Sequence, residues 1–175
     1  MESYFQFYHI SEAFYIDEKE LRLKYLQISK ENHPDLFMND ESRYDEALNT
    51  TSINNTAFKQ LKSFQNRLSH ILRINDVLLD SNSGIPQEFL MEMMEVNESI
   101  MDLKMEPDAQ KIESLIEDID EMHSAFNNKL EVLAKEADVL EEGERHTLLE
   151  KIKDIYLKQK YVLRLKESLN TFAPL

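Results

Sequence analysis

A chain with two glycines and four prolines in 175 residues has few places where an α-helix is forced to stop. Leu, Glu, Lys, Met and Ile fill the intervals between them, so helix is the default and no segment reads clearly as a sheet. The expected fold class is therefore all-α. The breakers are also unevenly placed. The stretch DSNSGIP gathers Asp80, Ser81, Asn82, Ser83, Gly84 and Pro86, which predicts a linker at 76–87 between a domain at 1–75 and a second at 88–175.

Charge divides at the same place. Residues 1–75 carry nine basic and eleven acidic side chains, a net of −2, whereas residues 76–175 carry eleven and twenty-three, a net of −12. Such a shift suggests two functional parts. The total of −14 disfavours nucleic acid as a partner, because neutralising phosphates needs a basic surface. The absence of cysteine excludes disulfides, cysteine-ligated zinc and a cysteine nucleophile, and it suits a reducing compartment. The start, MESYFQFYHI, is neither basic enough nor apolar enough for a signal peptide, and no run approaches the ~20 apolar residues of a membrane span. These features predict a soluble cytoplasmic protein with no membrane partner.

In the first part, Asp17 with Glu20 three residues on has the pattern of a capping box, and Leu21, Tyr25 and Ile28 follow at helical spacing. Pro34 requires this helix to end near Asn32. A polar stretch at 39–43 leads to a second helix at 44–63, where Ile53, Ala57 and Leu61 recur with Phe58 beside them, and QNRLSHILRI makes a short third. The prediction is an antiparallel helical hairpin with short helical ends. Three helices are expected in the second part. The first, at 87–105, stops at Pro107. The next starts at Asp108 and carries Ile112, Ile116, Ile119, Met122, Phe126, Leu130, Leu133, Ala137 and Leu140 to about Glu142, where Gly143 is expected to end it. The last, at 145–170, repeats Leu149, Ile152, Tyr156, Leu163 and Leu169. No such helix buries its stripe alone, so a three-helix bundle is predicted.

The hairpin loop contains the tripeptide His33-Pro34-Asp35, within ISKENHPDLF. Alone it reads first as an ordinary helix-terminating turn. In context it follows a helix bearing Arg22, Lys24 and Lys30, and Pro34 stiffens the backbone that presents His33 and Asp35. A rigid, exposed carboxylate beside basic residues suits docking to a mixed-charge protein surface.

This arrangement resembles the J domain of DnaJ-class co-chaperones. Three blocks in order, YFQFYHISEAFYIDEKELRLKYLQISKENHPDLF, INNTAFKQLKSFQNRLSHILRINDV and FLMEMMEVNESI, resemble the HscB family of co-chaperones for iron–sulfur cluster assembly. The resemblance implies an N-terminal J domain that binds a DnaK/HscA-type ATPase chaperone and stimulates its hydrolysis of ATP. It also implies a C-terminal helical domain that binds an IscU-type scaffold and delivers it. Carried over, His33, Pro34 and Asp35 would trigger the ATPase, with Arg22, Lys24 and Lys30 as docking charges. Asn32 stands where J domains usually place Tyr, and Leu36 where many place Lys, which bears on how docking is tuned. The cysteine-ligated N-terminal metal site of some eukaryotic relatives has no counterpart.

The helix at 87–105 can be read independently. At 100° per residue Phe89, Met93, Val96, Ile100 and Leu103 fall within roughly 80° and make a core stripe. Leu90, Met91, Met94 and Met101 lie nearly opposite, interleaved with Glu95, Glu98 and Asp102. A second apolar strip edged by carboxylates is surplus to one core, and its alternatives are burial between other elements or exposure to a partner. The resemblance implies scaffold binding by Leu90, Met91, Met94, Glu95, Glu98 and Asp102, with Tyr156 on the last helix as an aromatic contact.

The histidines lack metal-ligand spacing, EVLAKEADVLEEGER lacks the alternate ligands of a calcium loop, and no phosphate loop or nucleophile motif is present. Neither a cofactor nor an enzymatic activity is expected. The sequence is also compatible with two rivals to a co-chaperone: a general J-protein holdase for unfolded clients, and a purely structural helical adaptor.

Overall fold

The computed structural model describes residues 3–78 and 84–171. The chain forms two compact units, Met1–Leu78 and Leu79–Leu175. The first contains α1 (Tyr4–Phe7), α2 (Glu18–Glu31), a 3₁₀ turn (Pro34–Phe37), α3 (Glu41–Lys62) and α4 (Phe64–Ile74). The second contains α5 (Gln87–Met105), α6 (Ala109–Ala137) and α7 (Glu142–Asn170). No strand occurs among the described residues.

Local chemistry sets the helix ends. The Asp17 carboxylate accepts from the amides of Lys19 (2.8 Å) and Glu20 (3.1 Å), satisfying two of the donors a helix start leaves unpaired. Asp108 does the same for Gln110 and Lys111. α3 starts at Glu41, three residues before its expected start, because Asp40 caps it by accepting from the Arg43 amide (3.2 Å).

α2 and α3 are antiparallel. Tyr25 stacks on Phe58, Ser29 meets Asn54, and the Asn32 carbonyl accepts from Thr51, so partner numbers fall as residue numbers rise. Leu21, Ala57 and Leu61 of this pair are fully buried, while Ile53 and Ile28 are half-buried. At the centre lies Asn54, also fully buried. Its amide nitrogen donates to the Tyr25 carbonyl (3.0 Å) and Ser29 Oγ (2.9 Å), and its Oδ1 accepts from the Tyr8 hydroxyl (2.7 Å). One side chain thus ties α2, α3 and the end of α1 together, and burial raises the Tyr8 phenol far above its ordinary pKa.

Two further buried polar groups fix the N-terminal segment. The Tyr4 amide donates to His70 Nε2 (3.1 Å), and the imidazole stacks on the Tyr4 ring at 4.5 Å. Burial, and secondarily the nearby Arg73, lowers the His70 pKa to about 4. Arg67 donates from Nε to the Phe14 carbonyl (2.7 Å) and from Nη1 to the Leu61 carbonyl near the negative end of α3.

The first unit continues past α4. Val77 and Leu78, expected at the start of the linker, are instead buried, and both their amides donate to the Leu72 carbonyl (2.9 and 3.0 Å). Asp76 takes φ +56° to make that reversal. Residues 79–83 of the expected linker lie outside the described residues. Gly84, at φ +112°, adopts backbone that other residues rarely reach.

In the second unit α6 and α7 are antiparallel: Asn127 pairs with Gln159 and Asp120 with Lys166. α5 and α7 are parallel, since Asn97 donates to Tyr161 and Lys104 to Ser168. Phe89, Met93, Ile100, Leu103, Ile112, Ile119, Val162, Leu165 and Leu169 form the shared core. Two expectations are corrected here. α6 ends at Ala137 rather than near Glu142, so Leu140 lies in the reversal between helices and Gly143 is the second residue of α7. Gly143 lacks the positive φ of a helix terminator and sits in a first turn, where a glycine is tolerated. Leu163 is 39 % exposed, because the buried row of α7 runs through Gln159, Val162 and Leu165.

Candidate functional site

Two solvent-facing surfaces carry the chemistry singled out in the sequence, one on each unit. The first is the turn after α2. Pro34 opens the 3₁₀ turn, leaving His33 extended at φ −68° and ψ 125°. His33 Nδ1 accepts from the Asp35 amide at 3.4 Å and lies 3.6 Å from Asp35 Oδ2, and both side chains remain largely exposed. The turn is held from both sides. On one, the Asn32 amide and side chain both donate to the Ile28 carbonyl while Thr51 donates to the Asn32 carbonyl (3.1 Å). On the other, the Arg43 guanidinium lies 4.4 Å from the centre of the Phe37 ring. Asn32 therefore joins α2, the turn and α3.

The basic residues of α2 separate. Arg22 and Lys30 project from the solvent face about 80° apart, while Lys24 lies about 200° from Arg22. Lys24 is committed to the fold: its Nζ reaches the Glu20 carboxylate and the His9 carbonyl, each at 3.4 Å. Leu23 and Leu26 share the face of Arg22 and Lys30 and are exposed, as are Leu36 and Met38 beyond the tripeptide. Leu23 and Leu26 were not among the expected docking residues. Their signal was angular, since both fall opposite Leu21.

The second surface is the outer face of α5. Its inner face is buried through Phe89, Met93, Ile100 and Leu103, and the Phe89 ring meets Phe126 and Tyr161 edge-on at 5.9 Å. Leu90, Met91, Met94 and Met101 are exposed, and so is Met105, which continues the expected strip by a further turn. Glu95 and Asp102 are exposed along one flank of the row, and Glu98 is exposed within it, between Met91 and Met105 in helical projection. Met105 belongs to the strip because it lies about 20° from Met94 in helical projection. Tyr156 differs in kind. It is only 7 % exposed, with the Lys160 ammonium 5.8 Å from its ring centre, so it supports the bundle more than it offers area.

Residues 85–170 match the family described as the HSCB C-terminal oligomerisation domain. The co-chaperone protein HscB homolog of Shewanella frigidimarina is 30 % identical over 135 residues, which are 75 % of this chain and 78 % of that protein. The chain belongs to the HscB co-chaperone family. The homolog of Shewanella denitrificans extends the match to 95 % of this chain and 94 % of its own length at 27 % identity. Two solved HscB structures share the fold. That from Vibrio cholerae has a TM-score of 0.69 at 19 % identity, covering 97 % of this chain and 96 % of its own. The human co-chaperone HscB has 0.72 at 20 %, covering 98 % and 82 %. The first unit is thus the J domain of an HscB protein and the second its helical bundle. Among the described residues no helix is long and apolar enough to cross a membrane, and no three His, Asp or Glu side chains are grouped to hold a metal ion.

Proposed function

We propose that the J domain engages a DnaK/HscA-type ATPase chaperone through His33, Pro34 and Asp35 and stimulates its ATP hydrolysis. α5 meanwhile holds an IscU-type iron–sulfur scaffold and brings it to that chaperone, in the cytoplasm and in support of iron–sulfur protein maturation. Arg22 and Lys30 steer the docking, with Leu23 and Leu26 adding apolar area between them. Lys24 serves mainly to order α2. The scaffold meets Leu90, Met91 and Met94, and its basic groups face Glu95, Glu98 and Asp102. Binding both proteins at once raises the local concentration of scaffold at the chaperone, and the tripeptide couples that encounter to hydrolysis. The protein has no catalytic residues of its own in this scheme.

The observation that carries the reading is the outer face of α5: a methionine-rich strip exposed on a helix whose other face fills the bundle core, with carboxylates on one flank. An unselective holdase has no use for a one-sided acidic edge, which favours a partner with basic groups in register. The test is calorimetric titration with a purified IscU-type scaffold beside single-turnover ATP hydrolysis by a DnaK-type chaperone, using the intact protein and His33→Gln. The variant should lose stimulation and keep scaffold binding. Stimulation that survives His33→Gln, or an intact protein that does not bind the scaffold, overturns the corresponding half.

A further inference from the structure

Of the eight methionines in the chain, four line the outer face of α5. Met91, Met94, Met101 and Met105 are between 57 and 88 % exposed, spread over about 21 Å of helix, while Met93 between them is 4 % exposed in the core. With no cysteine in the chain, thioethers are its readily oxidised sulfur groups. A leucine would supply the same apolar area without that reactivity, as Leu90 does on the same strip.

We infer that Met91, Met94, Met101 and Met105 form an oxidation-sensitive switch on the docking face of α5, turned off by peroxide-class oxidants. The proposal rests on α5 being the scaffold-binding surface. A thioether sulfur attacks one peroxide oxygen, the O–O bond breaks, and sulfur gives up two electrons to become a sulfoxide. The second oxygen leaves as water with both peroxide hydrogens. No further co-reactant is needed. Each event replaces an apolar, adaptable contact with a strong dipole whose oxygen only accepts hydrogen bonds. Placed beside Glu95, Glu98 and Asp102, that oxygen adds negative character to a face that depended on apolar area. The inner face is untouched as long as Met93 stays packed, so the bundle stays folded while the strip changes character. Methionine sulfoxide reductases reverse the chemistry, which makes the state a switch and not damage.

The experiment treats the full chain with graded hydrogen peroxide. It maps sulfoxides by peptide mass spectrometry, follows helicity by circular dichroism, and titrates each sample with a purified IscU-type scaffold. The four strip methionines should oxidise before Met93 and Met122. Affinity should fall at least about tenfold in step with them at constant helicity, and reductase treatment should restore it. Met38, equally open but on the J domain, is separated by Met38→Leu, in which the loss should persist. Affinity unchanged with the four residues oxidised overturns the switch alone. So does a loss that appears only when Met93 oxidises and helicity falls, or one that Met38→Leu abolishes. No binding before peroxide is added overturns the scaffold reading and the switch with it.

Discussion

The turn at His33 and the strip along α5 both face solvent, yet they are built on opposite principles. The turn is a small polar group held by geometry, through Pro34, the bond from Thr51 to the Asn32 carbonyl, and Arg43 over Phe37. The strip has no such anchors and needs none, because a helix fixed by its inner face presents its outer face automatically. One surface works by position and the other by apolar area. Substitutions should therefore act differently on them: the turn is sensitive to residues that never touch a partner, whereas the strip responds to the area removed.

The largest effect expected is on the strip. Leu90→Ala, Met91→Ala and Met94→Ala together should weaken scaffold binding by more than about 100-fold in calorimetry, since each removes an anchor of roughly 1.5 kcal/mol or more. The melting temperature should barely change. A large drop would place these side chains in the core and erase the distinction between the faces.

Acid should act on the J domain and spare the strip. His70 has a pKa lowered to about 4 in the fold, against 6.5 when unfolded, so the unfolded chain binds more protons between those values. Its contribution is complete above about pH 6.5 and is lost as pH falls toward 4, at most on the order of 3 kcal/mol. Amide exchange in α1 and α4 should accelerate through that window while the core of α5 to α7 stays protected. His70→Phe should flatten the dependence. An unchanged profile in that variant would rule out the imidazole as its cause.

Asn54→Ala should follow, destabilising the J domain by about 2 kcal/mol, because the Tyr25 carbonyl and Ser29 Oγ lose their shared donor and the Tyr8 hydroxyl keeps only the Asn54 carbonyl (2.9 Å). Hydrogen exchange in α2 and α3 reads it, and scaffold affinity should not move. A smaller effect, about 1 kcal/mol or a few-fold in ATPase stimulation, is expected from Thr51→Val, which keeps the shape but frees the Asn32 carbonyl. Stimulation as strong as that of the intact protein would mean the turn holds its position without α3. Smallest is the contrast within α2. Arg22→Ala should weaken chaperone docking by less than about 1 kcal/mol, more at low salt, whereas Lys24→Ala should act through stability instead. Equal salt-dependent losses would return Lys24 to the docking face.

Much of this was legible because it is local. Asp17 and Asp108 announce helix starts by their own hydrogen-bonding capacity, Pro34 and Pro107 bound helices by sterics, and the two faces of α5 follow from 3.6-residue periodicity. Other features depended on what lies across the fold. Gly143 resembled a terminator until the reversal at 138–141 placed it inside α7. Leu163 kept the period but lost its place to Val162 and Leu165 as the buried row drifted. Lys24 carries the same charge as Arg22 on the same helix, but the His9 carbonyl that it reaches is brought beside it only by the fold. By itself the sequence determined the helices, the exposed tripeptide and the surplus strip, since each follows from the bonded geometry of a short segment. Only the tertiary structure decided that Asn54, in a run of polar residues, is the buried knot of the J domain. A polar side chain can be buried only where specific partners meet all of its hydrogen bonds, and those of Asn54 come from Tyr8 just after α1 and from Tyr25 and Ser29 of α2.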